Sequence, residues 1–307
     1  MHRRYVSADV FTDCKFGGNP LAVVLDATGL SSAQMQAVAL EFNYVETTFV
    51  LPPSDPAHTA RVRIFTPDRE VPFAGHPNIG TAFVLAREAA ARCETVPDRF
   101  VFEEQAGLVA VDLLIESGVV AGAELTAPEP LSRRSAVPAE AAADCLCLAA
   151  DDVSVAAHMP LVVSVGLPFL VVELASREAL RRSRPDRQAF DALFPLAGAR
   201  SVYAYTRDVG REAATRDIEA RMFTSRMVED PATGSATAAM TALLAELGDA
   251  SEIRLRVSQG VDMGRPSLLS ARARRHDGGT TAFVGGRCVA VFEGGFVLHG
   301  EDGRPPP

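Results

Sequence analysis

The 307-residue chain has no long apolar run, no surplus of positive charge and no even set of cysteines. Its longest hydrophobic stretches, such as Leu161–Val165 and Phe169–Val172, are far shorter than the roughly 20 residues a membrane-spanning helix needs, so no membrane association is expected. Met1-His2-Arg3-Arg4 leads directly into a strand-like Tyr5–Phe11 stretch with no apolar leader, which makes the cytoplasm the expected location. A formal charge of −9 and a pI near 5.2 argue against nucleic acid as a partner, because phosphate binding depends on clustered Lys and Arg. The short basic run Arg272–Arg275 reads as a solvated turn or strand end. Cys14, Cys93, Cys145, Cys147 and Cys288 include no C-x-x-C pair, so reduced thiols are expected rather than a disulfide framework or a zinc knuckle. The six histidines are scattered and H-E-x-x-H is absent, so no metal site is expected.

What the chain does contain is one pattern written twice. Arg63–Ala86 reads RIFTPDREVPFAGHPNIGTAFVLA and Arg221–Ala245 reads RMFTSRMVEDPATGSATAAMTALLA, each an apolar strand, a polar turn with glycine, and a helix. Both open with Arg-x-Phe-Thr, and after a one-residue slip both carry Pro-x-x-Gly followed by a polar residue: Pro72, Gly75, His76 and Pro231, Gly234, Ser235. A helix start exposes unpaired N–H groups and the positive end of its dipole, so it suits an anion such as a carboxylate. Two such starts facing one another would form a cleft for a small acid.

Around this repeat, strands are expected at Tyr5–Phe11, Ala22–Leu25, Val45–Leu51, Ala60–Phe65, Arg99–Glu103 and Leu108–Ile115, and Ser31 with Gln34 forms a capping box for a helix ending at Asn43. Thr126–Ala139, with three prolines, is the linker candidate, which divides the chain into residues 1–125 and 126–287, with a strand over about 288–307 returning to the first half. A helix over Ala139–Ala150, strands at Leu161–Val165, Phe169–Leu174, Ser201–Thr206 and Ile218–Thr224, and a helix near Asp186–Phe194 follow. The tail reads as strands at Ile253–Val257, Thr281–Val284, Cys288–Phe292 and Phe296–His299. The second repeated helix, about Thr233–Leu247, has no charge before Glu246 and reads as buried on every side. A sheet must wrap it, which favours an α+β fold of two similar domains, each a mixed or antiparallel barrel-like sheet around a central helix.

Glu46 stands near the start of an otherwise apolar, β-branched strand, where burial disfavours the charged form and makes the carboxyl a usable proton shuttle near neutral pH. His76 sits at a helix start, where the dipole favours the neutral imidazole, able to give or take a proton. Asp230 precedes the second central helix, as cap or as ligand. Gly75, Gly234 and Ser235 would let backbone N–H groups approach a substrate carboxylate.

Five blocks in order, Phe16–Val23, Asn43–Phe49 with Glu-Thr-Thr-Phe, Phe65–Gly80 with Phe73-Ala74-Gly75-His76-Pro77, Glu229–Ala236 with Asp-Pro-Ala-Thr-Gly-Ser-Ala, and Met263–Ser267, resemble the PhzF-like family of phenazine biosynthesis, whose members share the fold of diaminopimelate epimerase. The resemblance implies a homodimer without cofactor and an active site between two barrel-and-helix domains. It also implies that Glu46 is the acid/base and that His76 and Asp230 belong to the site. In the best understood branch the reaction is isomerisation of trans-2,3-dihydro-3-hydroxyanthranilate. The epimerase relatives use two opposed cysteines, and this chain has none from Glu70 to Ala82 or from Val228 to Met240. The expected function is therefore a cofactor-independent isomerase of a small carboxylic acid, amino-bearing or cyclic. An epimerase or dehydratase using the same glutamate, and a small-molecule binding protein without turnover, are the alternatives.

Overall fold

The computed structural model describes residues 2–212 and 214–299. The chain divides into two units, Met1–Leu125 joined by the chain from Gly285 onward, and Thr126–Val284. In the first unit the order is β1 (His2–Val10), β2 (Asn19–Val24), α1 (Ser32–Phe42), β3 (Glu46–Leu51), β4 (Ala60–Phe65), β5 (Glu70–Val71), α2 (Gly75–Ala91), β6 (Arg99–Glu104), β7 (Gly107–Glu116) and β8 (Val119–Thr126). Pairing runs β1–β2 antiparallel, β2–β3 parallel, β3–β4 antiparallel, β4–β6 parallel, then β6–β7 and β7–β8 antiparallel. The last strand of the chain, Gly279–Val297, pairs with both β8 and β1 and closes the ring.

The ring encloses α2, which packs on β1, β2, β3 and β7 and buries every residue from His76 to Val84. That surface is largely apolar, and the Thr81 hydroxyl buried on it shares a 2.8 Å hydrogen bond with Thr48 of β3. Gly80 is small because a Cβ there would stand 2.5 Å from Leu21 Cδ2 and 2.8 Å from Val10 Cγ2.

The second unit repeats the plan with β9 (Ser132–Ala136), α3 (Ala139–Cys145), β10 (Leu161–Ser164), β11 (Pro168–Glu173), α4 (Arg177–Arg182), α5 (Arg187–Leu193), β12 (Ser201–Thr206), β13 (Ile218–Thr224), β14 (Glu229–Asp230), α6 (Gly234–Leu247), β15 (Glu252–Gln259), β16 (Ser267–His276) and the opening residues of the last strand, β17. Antiparallel β10–β11, parallel β11–β12, antiparallel β12–β13, parallel β13–β15 and antiparallel β15–β16 match the first unit step for step. β9 pairs with β10, and the N–H groups of Ala127 and Leu131 each donate at 2.9 Å to β17, at the Ala282 and Thr280 carbonyls. α6 lies against β10, β11, β15 and β16, with Thr237 bonded to the Tyr203 hydroxyl of β12 at 2.7 Å. The fold is α+β, with two similar domains, each a barrel-like sheet around a central helix.

Several local expectations differ from what is found. The Thr126–Ala139 stretch is not a bare linker, since Ser132–Ala136 is paired as β9. The helix expected over Ala139–Ala150 ends at Cys145. Arg177–Arg182 is helical, capped by the Ser176 side chain on the Ala179 N–H. The strands expected at Thr281–Val284, Cys288–Phe292 and Phe296–His299 are one 19-residue strand ending at Val297, and residues 300–307 of the expected returning strand lie outside the described residues. Arg272–Arg275 lies inside β16, where Arg272 stacks over Phe283 and Arg274 pairs with Glu252. Among the described residues no helix is long and apolar enough to cross a membrane.

The seam between β8 and β17 depends on missing side chains: a Cβ on Gly122 would lie 2.0 Å from the Gly286 carbonyl oxygen, and one on Gly285 would lie 2.6 Å from that of Ala123. Backbone cannot yield there without parting the strands. Gly122→Ala is expected to lower unfolding free energy by about 2–3 kcal/mol in denaturant titration. The control Gly248→Ala, whose Cβ meets only a carbonyl at 3.5 Å, should change it by less than about 0.5 kcal/mol.

Candidate active site

Asn43, in the left-handed conformation, ends α1 and turns the chain so that Glu46 becomes the first residue of β3, beside Leu21 of β2. The repeated Arg-x-Phe-Thr strand then fixes the next turn. Arg63 grips Glu70 through two 2.6 Å hydrogen bonds and stacks on Phe65, which holds β5 against β4 and aims the chain at the start of α2. His76 is in the first turn, after the N-cap Ala74, and Pro77 follows where a missing N–H costs nothing.

This geometry brings Glu46 and His76 together: Nε2 of His76 lies 3.4 Å from Oε2 of Glu46, with the side chains only 7% and 15% exposed. That separation exceeds a normal N–H···O bond, and the buried Nε2 makes no hydrogen bond. Burial holds the imidazole neutral, pushing its pKa down to about 3. An uncharged ring nitrogen with unused hydrogen-bonding capacity beside a carboxyl group can hold a substrate heteroatom while the carboxyl moves a proton.

In the second unit the same corner is built differently. Arg221 grips Glu229 at 2.8 and 2.7 Å, stacks on Phe223, and donates to the carbonyls of Leu180, Arg181 and Ser183 at the end of α4. Asp230, next in the chain, accepts the Thr233 hydroxyl at 2.5 Å. Gln259 accepts the Thr233 N–H at 3.1 Å and donates to the Asp230 carbonyl at 2.8 Å and the Thr233 hydroxyl at 3.0 Å. Ser267 donates to the Pro231 carbonyl at 3.0 Å. Asp230, Gly234 and Ser235 thus share the approach to α6, with Gly234 buried and Ser235 partly exposed.

The sheet register sets the correspondence between halves. Phe65 pairs with Thr47 and Glu70, and Phe223 with Val202 and Glu229, so the counterpart of Glu46 is Ser201, that of His76 is Ser235, and that of Asp230 is Val71. Asp230 and His76 are therefore not positional equivalents. Thr233, Gln259 and Ser267 escaped the sequence reading as members of this corner; the signal available was the Gln259-Gly260 pair, in which Gly260 takes φ +75 and a Cβ would lie 2.4 Å from the Arg265 carbonyl oxygen.

Duplicated helix-in-barrel domains thus carry a carboxyl–imidazole pair at one central helix start, and the relatives this chain resembles are named isomerases. The chain belongs to the phenazine biosynthesis-like family, whose model matches residues 8–294. It is 38% identical over 301 residues to an uncharacterized isomerase of Mesorhizobium japonicum, covering 95% of this chain and 98% of that one. It is 35% identical over 302 residues to the trans-2,3-dihydro-3-hydroxyanthranilate isomerase of Pseudomonas chlororaphis, covering 97% and 100%. Among solved structures, the phenazine biosynthesis protein of the PhzF family from Bacillus anthracis superposes with a TM-score of 0.86 at 24% identity over 97% of this chain and 100% of that one, a likeness of fold.

Because His76 is neutral when folded and takes a proton more readily once unfolded, the unfolded state binds more protons between about pH 3 and 6.5, and its contribution to stability falls as pH drops through that window. Chemical denaturation at stepped pH should therefore show a shallower acid loss in His76→Asn than in the wild type; equal slopes would mean that the ring is not held neutral.

Proposed function

We propose that the protein is a cofactor-independent isomerase of a small carboxylic acid, similar to trans-2,3-dihydro-3-hydroxyanthranilate isomerase, in which Glu46 carries the proton. The observation that supports this reading is the buried Glu46–His76 pair, 3.4 Å apart with the imidazole nitrogen unbonded. The relatives named for that isomerisation align with 97% of this chain.

The Glu46 carboxylate abstracts a proton from a carbon made acidic by an adjacent π-system, and the resulting carboxylic acid returns it to another carbon of the same delocalised intermediate. One group serves as base and then acid, and no net proton is consumed. Neutral His76 gives a hydrogen bond to the substrate's amine or hydroxyl as charge develops. Gly75 at the start of α2 is assigned to the substrate carboxylate, since that helix has no side-chain cap on its first N–H groups. In the second unit the start of α6, with Gly234 and Ser235, is likewise uncapped and suits an anion, and Asp230, oriented by Thr233, suits an amine or hydroxyl. Each well-placed donor of this kind is worth about 3 kcal/mol in the transition state.

The test is turnover of trans-2,3-dihydro-3-hydroxyanthranilate and related acids in heavy water, with deuterium incorporation read by mass spectrometry. Glu46→Gln is expected to reduce kcat by roughly 10²–10⁴-fold with substrate affinity within about threefold of wild type. An undiminished Gln variant on a verified substrate would falsify the assignment.

A further inference from the structure

Glu104 ends β6 and takes no part in the chemistry above. Both of its carboxyl oxygens are buried and neither makes a hydrogen bond. Its counterpart in the second unit follows from register. In the first unit Arg61 of β4 pairs with Glu103 of β6, and in the second Glu219 of β13 pairs with Ser258 of β15. Arg61 and Glu219 stand the same distance before Phe65 and Phe223, so Glu104 occupies the position of Gln259. There the amide, both donor and acceptor, ties the sheet to the turn that leads into α6.

An ionised carboxylate cannot do this, because it only accepts; a carboxylic acid can, because like an amide it has one donor face and one acceptor face. The surroundings favour the acid. Glu103, its neighbour on β6, is held by the Ser54 and Asp55 N–H groups and by His58, and Glu70 on β5 is held by Arg63. Among the described residues the polar side chain that acts on Glu104 is Asn78, on the first turns of α2; its hydrogen-bonding amide favours the ionised form, and burial outweighs it. Asn78 donates through Nδ2 to the Ala74 carbonyl at 3.0 Å, while its buried Oδ1 makes no hydrogen bond. Glu104 thus adjoins a buried amide whose oxygen lacks a donor, and a proton on the carboxyl would supply one.

We propose that Glu104 is a positioning residue, held as an uncharged carboxylic acid whose O–H serves Asn78 and so fixes the first turn of α2, on which His76 stands. Burial supports this state by pushing the Glu104 pKa up to about 8. An acid bound more tightly to its proton in the folded state loses stability as pH rises from 4.5 towards 8, the opposite sense to His76.

The experiment uses full-length protein carrying ¹³C-carboxyl glutamate, with the Glu104 resonance identified by its loss in Glu104→Gln. The expected result is a carboxyl titrating near pH 8, with the His76 ring signals shifting at the same midpoint in wild type and not in the Gln variant. On trans-2,3-dihydro-3-hydroxyanthranilate, wild-type kcat should fall about tenfold from about pH 7 to about pH 9, and the fall should shrink to less than about twofold in Glu104→Gln. Glu104→Leu, which restores neither donor nor acceptor, should lose kcat at every pH. A Glu104 carboxyl titrating in the ordinary range, or His76 signals indifferent to it, overturns the proposal. If the Gln variant does not fold, the wild-type His76 titration still decides. The activity arm rests on the proposed function; should that acid not be turned over while the resonance arm behaves as stated, the proposed function fails and the role of Glu104 stands.

Discussion

A helix enclosed by a barrel has nowhere to send the N–H groups of its first turn. In a surface helix water or a side chain takes them, and α1, α4 and α5 show the usual remedy, with Ser31, Ser176 and Asp186 accepting from the third residue of the helix. The two central helices do not: Ala74 and Thr233 stand at their N-caps without a side-chain bond to the first turn. Leaving a helix start uncapped costs stability unless something else arrives. On the proposed reading, what arrives at each of these two starts is an anion.

The two halves divide the resulting work unequally. What holds the corner is repeated: the Arg63–Glu70 and Arg221–Glu229 grips, the stacked Phe65 and Phe223, and the hydroxyl contacts from Thr81 and Thr237 to the third strand of each barrel. What the proposed reading assigns to chemistry is not. Where the first half has Glu46, His76 and Glu104, the second has Ser201, Ser235 and Gln259. The duplication is therefore one of scaffold: these three positions are ionisable in the first copy and neutral in the second, while Asp230 of the second answers to Val71 of the first.

This division also explains what could be read from sequence. The repeat was legible because Arg-x-Phe-Thr is both a strand and half of an ion pair. Its one-residue slip is the turn between them, closed by Thr66 to Arg69 in one copy and by Thr224 to Val228 in the other. The buried central helices were legible from their missing charge, and Glu46 and His76 from being polar where burial was forced. Gln259, Ser267 and Glu104 were not, because they act on backbone groups or on an amide far away in the chain, and nothing in local spacing announces such a partner. The long β17 was hidden for a related reason: its glycines read as turns, whereas two of them are sites where another strand passes within contact distance.

The unequal halves bear on the number of bases the proposed chemistry can use. A two-base mechanism needs a second proton acceptor besides Glu46, yet the second unit has Ser235 at the position of His76 and Ser201 at that of Glu46, and a hydroxyl is a poor base near neutral pH. Asp230 is the remaining carboxyl there, but one of its oxygens is committed to the Thr233 hydroxyl at 2.5 Å, in a cluster tied down by Gln259. A group so held orients a ligand better than it collects a proton. On the proposed reading, removal and return of the proton therefore fall to Glu46 alone. A single carboxyl can deliver only to the face from which it took, so the substrate must offer two carbons within reach of one side of the acid, which favours a shift along a conjugated system over inversion at one centre.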